Sequence, residues 1–510
     1  MSDPAIPTSH WNEIRPAPAR APADKYPYIR RKLSPVDLLS AEAIEIIEAG
    51  AETILEEIGV ELRGDPQSLL LWHEAGADVQ GERVHIPRGL ARDLLMSAPS
   101  VFTLFARNPE RNVRFGGDAT VFSPMGGPQL VSDLDGGRRS ATLADLHDFI
   151  KLAHVAPAIH FSGARLCEPL EIPRAQRHLD VQYAYFRYSD QGFEAAPQTE
   201  DDAADAVALA QTLFGAEYLE THPVLLGNIT SNSPLVYDGG ILGALRQLAS
   251  HNQATIVVPA MRAHAAGPVT SAGPMAELLA ATLSGMALTQ IVRPGAPVIF
   301  GSPAGAISTL MGAPTFGISE ATQMIFATAQ LARRLRVPCR SGGSLCASKV
   351  AAAQAGYESA GMLLPALLAG VNLVTQATGW LEGGRVASFE KFVMDADQYA
   401  LVQSLAQVIS ERGLAVASIR ELAADNPFPD SPHSQAILEE AFYRSAIADY
   451  ASYEQWSQDG RGTAEQRANR LWKRMLAQYR DPGLDPARDE AMRDFIARRK
   501  AILSDGTHGG

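Results

Sequence analysis

Val298-Ile-Phe-Gly301, Val337-Pro-Cys-Arg-Ser341 and Asn372-Leu-Val-Thr-Gln-Ala-Thr378 are the runs whose reading decides the fold. Each is too short for a helix and nearly continuous in hydrophobicity, the texture of a parallel strand buried on both faces. Working outward, the same texture recurs at residues 160–164, 224–229, 255–260 and 415–419, with Ala- and Leu-rich helical stretches between. Such alternation over about 250 positions gives either an open doubly wound sheet or a closed eightfold barrel. No Gly-x-Gly-x-x-Gly follows an early strand and no Gly-x4-Gly-Lys-Ser/Thr occurs, so the nucleotide sites of open sheets lack their signatures. The expectation is an α/β protein, a (β/α)8 TIM barrel with an N-terminal helix and hairpin extension and a C-terminal helical wrap.

The flanks divide the chain further. Residues 1–32 read as a mobile Pro/Ala-rich tail, 33–158 as a helix and β-hairpin region, 159–425 as the barrel core and 426–510 as a helical extension. From Ala41, Ile44, Ile47, Ala51, Ile54, Leu55 and Ile58 recur at helical spacing, and Gly59 stands where a left-handed residue stops a helix. Alternating runs at 101–105 and 113–115, joined through Arg107-Asn-Pro-Glu-Arg111, predict a hairpin. Thr142-Leu-Ala-Asp145 reads as a capping box, and residues 465–479 and 489–503 carry helical periodicity.

Composition excludes several functions. The 510 residues are 46% hydrophobic and 20% charged, ordinary globular usage with room for a large core. A net charge of -13 argues against nucleic acid, whose binding rests on Lys and Arg releasing counterions, and the longest cationic cluster is only Arg30-Arg-Lys32. Three cysteines, Cys167, Cys339 and Cys346, are too few and too irregular for a disulfide framework, which points to a reducing, cytoplasmic setting. The N-terminus lacks an apolar signal core, and no uncharged apolar stretch reaches bilayer-spanning length, so neither export nor a membrane is expected.

In barrels the reacting groups sit at the carboxyl ends of the strands. Four strand-end segments combine small residues, which let a ligand approach the backbone, with polar or aromatic side chains: Asn228-Ile-Thr-Ser-Asn232, Phe300-Gly-Ser-Pro-Ala-Gly305, Arg340-Ser-Gly-Gly-Ser344 and Thr378-Gly-Trp-Leu-Glu-Gly-Gly384. For any one of them an ordinary βα turn accounts equally well. Taken together they nominate Asn228, Ser302, Gly342, Gly343 and Ser344 as site-lining residues.

Several longer motifs occur in order. They are Phe102-Thr-Leu-Phe-Ala-Arg-Asn-Pro-Glu-Arg-Asn-Val-Arg-Phe-Gly-Gly117, the Ser341-Gly-Gly segment leading to Ser348-Lys349 and Ala353-Gln-Ala-Gly-Tyr-Glu-Ser359, and Gly379-Trp-Leu-Glu-Gly-Gly384 with Ser388-Phe-Glu-Lys-Phe-Val393. Ser452-Tyr-Glu-Gln-Trp456 and Ala468-Asn-Arg-Leu-Trp472 follow. Together, over residues 33–500, they resemble the trimethylamine methyltransferase family. The resemblance implies a barrel, methyl transfer to the cobalt of a separate corrinoid protein, and reductive upkeep of that cobalt by other proteins. The archaeal trimethylamine enzymes carry pyrrolysine, whereas this chain has only standard residues, so it resembles the branch that acts on glycine betaine and related quaternary amines. The pyrrolysine position is expected within residues 341–346. Asp425-Asn-Pro-Phe-Pro-Asp-Ser-Pro-His433 departs from the Gly- and His-rich stretch of relatives.

That chemistry makes modest demands on the protein. A quaternary nitrogen departs as a neutral amine, so no covalent activator and no catalytic acid or base is assigned; the corrinoid belongs to the partner, and this chain orients one methyl group and excludes water. A permanent cation is held by aromatic faces worth about 0.5 to 2 kcal/mol each, with a nearby carboxylate. The candidate walls are Phe300, Phe316, Tyr357, Trp380 and Phe389, and the candidate anions are Glu320 and Glu382, with Trp380 and Glu382 the favoured pair. Core packing is the competing account of each aromatic. Arg340 is the candidate fork for a betaine carboxylate, ahead of Arg262 and His264. Cys339 and Cys346 admit a zinc-assisted variant, but no third ligand stands at metal spacing and no metal is expected. A barrel that binds a quaternary amine or a corrinoid protein without catalysis is the alternative, and a homo-oligomer is compatible with either.

Overall fold

Seven short strands run parallel in one curled sheet, in the spatial order Ala119–Phe122, Leu373–Thr375, Cys339–Gly342, Val298–Gly301, Ala254–Pro259, Leu225–Ser231 and Phe193–Ala195. The two-residue strand Ile29–Arg30 adds antiparallel to the first of these. This is a computed structural model, and it describes residues 27–232, 235–259, 272–302, 306–307, 314–406 and 443–506. The strand expected at 415–419 lies outside the described residues.

Five of the expected runs are strands. The sixth, residues 160–164, is extended without a strand assignment, yet it is bonded on both sides: His160 N donates to Phe122 O at 3.2 Å, Ser162 N to Gly192 O at 2.9 Å and Glu194 N to Gly163 O at 2.8 Å. Ser162 Oγ, bonded to Ser189 and Gln191, pins it further. Two of the seven parallel strands were not anticipated. Ala119–Phe122 follows the hairpin so closely that it reads as part of it, and so the sheet begins upstream of the expected core at 159–425. Phe193–Ala195 is three residues long and carries a charge, against the apolar pattern of a buried strand.

Alternation along the strands sorts their side chains into two layers. Val121, Leu226, Ile256, Ile299 and Leu373 pack together on the concave side with Phe161, while Phe122, Leu225, Val257, Phe300, Cys339 and Val374 pack with the helices. The expected hairpin, Val101–Leu104 with Val113–Gly116, closes the amino-terminal half of the concave side. Its Phe102, Leu104, Val113 and Phe115 complete that apolar cluster, and Phe115 meets Phe161 edge-on at 6.2 Å.

The helix from Ala41 runs into a π-turn, Ile54–Ile58, that ends at Gly59 with φ of 75°. The capping box at Thr142 and Asp145 is formed. One helix, Ala272–Val292, is long and apolar enough to cross a membrane by length and composition, although Glu277 interrupts its apolar run. It lies 83% buried against the helix Ala41–Thr53 and the sheet, where an apolar helix serves as core. The C-terminal helices Ala464–Gln478 and Pro486–Gly506 wrap the outer helices. Asn469 Nδ2 and Trp472 Nε1 each donate to Glu390 Oε1 at 2.9 Å, which ties Ala468-Asn-Arg-Leu-Trp472 to Ser388-Phe-Glu-Lys-Phe-Val393.

Candidate active site

Toward the carboxyl ends of the strands the concave side turns polar. A pocket of about 140 Å³ opens there, lined by Gly126, Arg165, Glu194, Asn228, Thr375 and Gln376 among others. Glu194 owes its direction to strand alternation: Phe193 turns back to stack on Tyr185 at 4.9 Å, so its neighbour points the other way. Glu194 is 5% exposed, and burial pushes its carboxyl up to about 7, against the opposing pull of Arg340, a hydrogen bond from Asn228 and the charge of Arg165. Among the described residues, Asn228 Oδ1, Arg340 Nε, Thr378 Oγ1 and Trp380 Nε1 are buried with no hydrogen-bond partner. Gln376 has φ of 58°, a strained conformation for a non-glycine residue, and its Oε1 accepts from Gly126 N at 2.9 Å. A second, small cavity of about 30 Å³ adjoins the first, sharing Arg165, Glu194 and Ala196.

Of the residues nominated from sequence, Asn228 lines the pocket. Trp380 and Phe316 stand together, rings 6.2 Å apart and steeply inclined. Glu382, with φ of 51°, turns instead to Arg138, which donates to both its oxygens at 3.0 Å. Arg340 occupies the expected strand end, but its Nη1 donates to Ser302 O at 2.8 Å and burial lowers its proton affinity, offset by Glu194; it faces that carboxylate and is not among the pocket-lining residues. Four expectations are corrected. Phe300 belongs to the helix-facing layer because Ile299 takes the concave side. Phe389 stacks on Phe149 at 4.1 Å and on Trp472 at 4.7 Å, well behind the sheet. Tyr357 is 83% exposed on the outer face of helix Ala353–Leu368. Glu320 is exposed in the first turn of helix Ser319–Arg334.

The glycine-rich segment after Cys339–Gly342 packs rather than lines. A Cβ on Gly343 would collide with Tyr399 and Ala377, and Ser344 Oγ reaches Tyr399 Oη at 3.5 Å. Ser302 and Gly342 are buried within the strand ends. Cys339 faces the helices, Cys346 Sγ donates to Trp380 O at 2.9 Å, and burial pushes the two thiols up to about 12 and about 11, away from the thiolate a metal needs. Arg262, His264 and the 425–433 segment lie outside the described residues.

One buried network holds the Trp380 segment. Lys391 Nζ donates to both Asp395 oxygens at 2.5 and 2.6 Å and to Ser359 Oγ at 2.6 Å, and Asp395 accepts from Gly379 N at 2.9 Å. Lys391 and Asp395 stand one helical turn apart, so the pair is built into the helix Phe389–Leu405. It fixes the turn that presents Trp380.

The profile of the trimethylamine methyltransferase (MTTB) family matches residues 11–504. The chain belongs to this family. It is 37% identical over 466 residues to the glycine betaine methyltransferase of Desulfitobacterium hafniense (strain Y51), covering 91% of this chain and 97% of that one. It is 24% identical over 393 residues to the proline betaine:corrinoid methyltransferase of Eubacterium limosum, covering 75% and 79%. The crystal structure of the Methanosarcina barkeri monomethylamine methyltransferase superposes with a TM-score of 0.50 at 11% identity, over 89% of this chain and 90% of that one, a likeness of fold. Within the trimethylamine methyltransferase family, then, this member puts a buried carboxylate, Glu194, at the strand ends. Sequence reading passed over it, as it did Arg165, Thr375 and Gln376. The available signal was a lone acid within a short run bounded by Gly192 and Pro197.

Proposed function

We propose that this chain transfers a methyl group from a quaternary amine to the cobalt of a separate corrinoid protein. The observation that carries this reading is Glu194: a buried carboxylate, the one acid among the described residues that line the pocket, whose other walls include Asn228 with its amide oxygen unpartnered. Without a cation, burial favours the protonated carboxyl. A quaternary ammonium entering the pocket supplies the positive neighbour that favours the carboxylate, so binding expels the Glu194 proton. The reduced corrinoid, as second substrate, supplies the nucleophile that takes the methyl group. Asn228 steadies the Glu194 carboxylate, and the low wall of Gly126, Gly127, Ala164 and Ala196 suits the approach of a large planar co-substrate. Once the methyl is gone the nitrogen is neutral, Glu194 no longer has a counter-ion, and the product amine is released. No acid or base is required of the protein, whose contribution is orientation and charge.

The same reading closes the sheet. With residues 160–163 counted as a stave between Ala119–Phe122 and Phe193–Ala195, eight staves follow one another in chain order and the last pairs with the first, the connectivity of a (β/α)8 barrel. The setting we assign is the cytoplasm, in keeping with three buried, unpaired cysteines. The test is spectroscopic: purified protein is mixed with a cobalt(I) corrinoid and, in turn, glycine betaine, proline betaine, carnitine, choline and trimethylamine. Catalytic methylation of the corrinoid with at least one quaternary amine is expected. Activity with trimethylamine alone, or with none of them, would overturn the reading.

A further inference from the structure

We propose that Arg165 is a substrate-binding residue that grips a carboxylate carried by the amine, so that the pocket takes a zwitterion with its ammonium on Glu194 and its acid group on Arg165. This rests on the reading of Glu194 given above and adds the second pole of the ligand.

Arg165 lies at the same end of the sheet as Glu194, just beyond the extended residues 160–163, and lines both cavities. Its backbone is anchored, since its carbonyl accepts from Gly127 N at 2.7 Å. Its side chain is braced without being consumed. Nη1 contacts Glu168 Oε1 at 3.1 Å, while the other oxygen of Glu168 is taken by Arg177 at 3.2 Å. Glu168 is itself 7% exposed and its N donates to Pro128 O at 2.8 Å, so the brace is rigid. One carboxylate thus serves two guanidinium groups, and a guanidinium has five N–H donors in a planar fork that matches a second carboxylate.

Charge decides which ligand fits. Arg165 is close enough to Glu194 to act on its ionisation. A plain cation bound at Glu194 would face the Arg165 charge across a small pocket, and like charges in a poorly solvated site repel. A zwitterion answers both poles and brings no net charge. The pocket therefore discriminates through repulsion of a bare ammonium as much as through attraction of a betaine. Arg340, the strand-end alternative, gives its Nη1 to Ser302 O, faces Glu194 and lies outside the lining.

The experiment is calorimetric titration of glycine betaine and of tetramethylammonium into the full-length protein and its Arg165→Leu, Arg165→Lys and Glu194→Gln variants. Arg165→Leu should weaken glycine betaine about 10- to 100-fold, the worth of a charged hydrogen-bonded pair, and leave tetramethylammonium unchanged or tighter. Arg165→Lys, which keeps a charge without the fork, should fall between and retain the wild-type melting temperature. Glu194→Gln should weaken both ligands. Equal losses of the two ligands in Arg165→Lys, or undiminished glycine betaine binding in Arg165→Leu, would overturn the assignment, as would a wild type that prefers tetramethylammonium. Should Arg165→Leu not fold, the ratio of the two affinities in Arg165→Lys decides by itself. If the wild type binds neither ligand, the Glu194 reading fails first and takes this one with it.

Discussion

The concave side of the sheet has two halves built from the same strands. In the amino-terminal half Leu226 and Leu373 join Val121, Phe161, Ile256 and Ile299 around the hairpin rings Phe102 and Phe115, in a dry apolar cluster. Two residues further along the same strands stand Asn228 and Thr375, and beside them Glu194 and Arg340, with polar atoms left unsatisfied. The period of two that points a leucine inward also points the next residue but one inward, so one register serves both halves. The difference is that the lower half stabilises the fold by apolar packing, whereas the upper half places polar and charged groups where their burial is costly.

The largest effect should come from breaking the lower half. Phe115 is fully buried and packs on Phe102 at 5.4 Å and on Phe161, so Phe115→Ala should cost about 3 to 5 kcal/mol, read as a lowered urea midpoint. The fraction that stays folded should keep its KM for the amine within about twofold, in line with additivity between distant sites. A KM that shifts as far as the stability would show that the two halves are one unit and that the contrast is misplaced.

Changing the upper half should do the reverse. Glu194→Gln should lower kcat/KM about 100-fold, as loss of a buried charge pair with the cation would. Its stability should rise at alkaline pH, with the sign set by the raised carboxyl. The folded protein keeps this proton up to about 7, whereas the unfolded chain releases it near the ordinary 4.5. The stabilisation is therefore complete below 4.5, declines as pH climbs to about 7 and is absent above, a loss on the order of 3 kcal/mol that the glutamine avoids. Wild-type kcat/KM should correspondingly rise between pH 6 and pH 8 with a midpoint of about 7, and the variant should show no such rise. A flat wild-type profile would remove Glu194 from the cation site.

The same contrast explains what could be read from sequence. Apolar packing leaves a pattern, and the strands at Val298–Gly301, Leu225–Ser231 and Ala254–Pro259, the hairpin, the capped helices and the C-terminal wrap were all legible for that reason. The strand that carries Glu194 was hidden because its function breaks the pattern: three residues with an acid in the middle look like a loop. Direction was illegible where two apolar residues adjoin, as Ile299 and Phe300 do, because either could face inward and only the register chooses. Phe389 and Tyr357 mislead differently, since a motif-borne aromatic can stack behind the sheet or stand in solvent with equal composition. Lys391 and Asp395, not singled out from sequence, are buried and hold Gly379.

A smaller effect tests the aromatic pair Trp380 and Phe316, which is not part of the pocket lining. Trp380 stands against Phe316, and its segment is held by the Lys391 and Asp395 pair. If its ring contributes a face to the cation, Trp380→Leu should raise KM several-fold, consistent with about 0.5 to 2 kcal/mol for such a contact. Trp380→Phe should recover most of that loss, whereas a merely structural ring would show the deficit in melting temperature instead of KM.

The smallest expected change is the one that separates two candidate anions. Glu382 follows Trp380 in sequence and would be the obvious counter-ion, but its carboxylate is occupied by both donors of Arg138 on the outer side of the segment. Glu194 is buried in the pocket and, among the described residues, has no comparably close ion pair. Glu382→Gln should therefore change KM less than about twofold, since it alters a solvated pair whose worth is small. Both substitutions remove one negative charge near the strand ends, so a general electrostatic effect would make them alike. A loss in Glu382→Gln that rivals Glu194→Gln would move the cation to the Trp380 side and reverse the assignment of the two carboxylates.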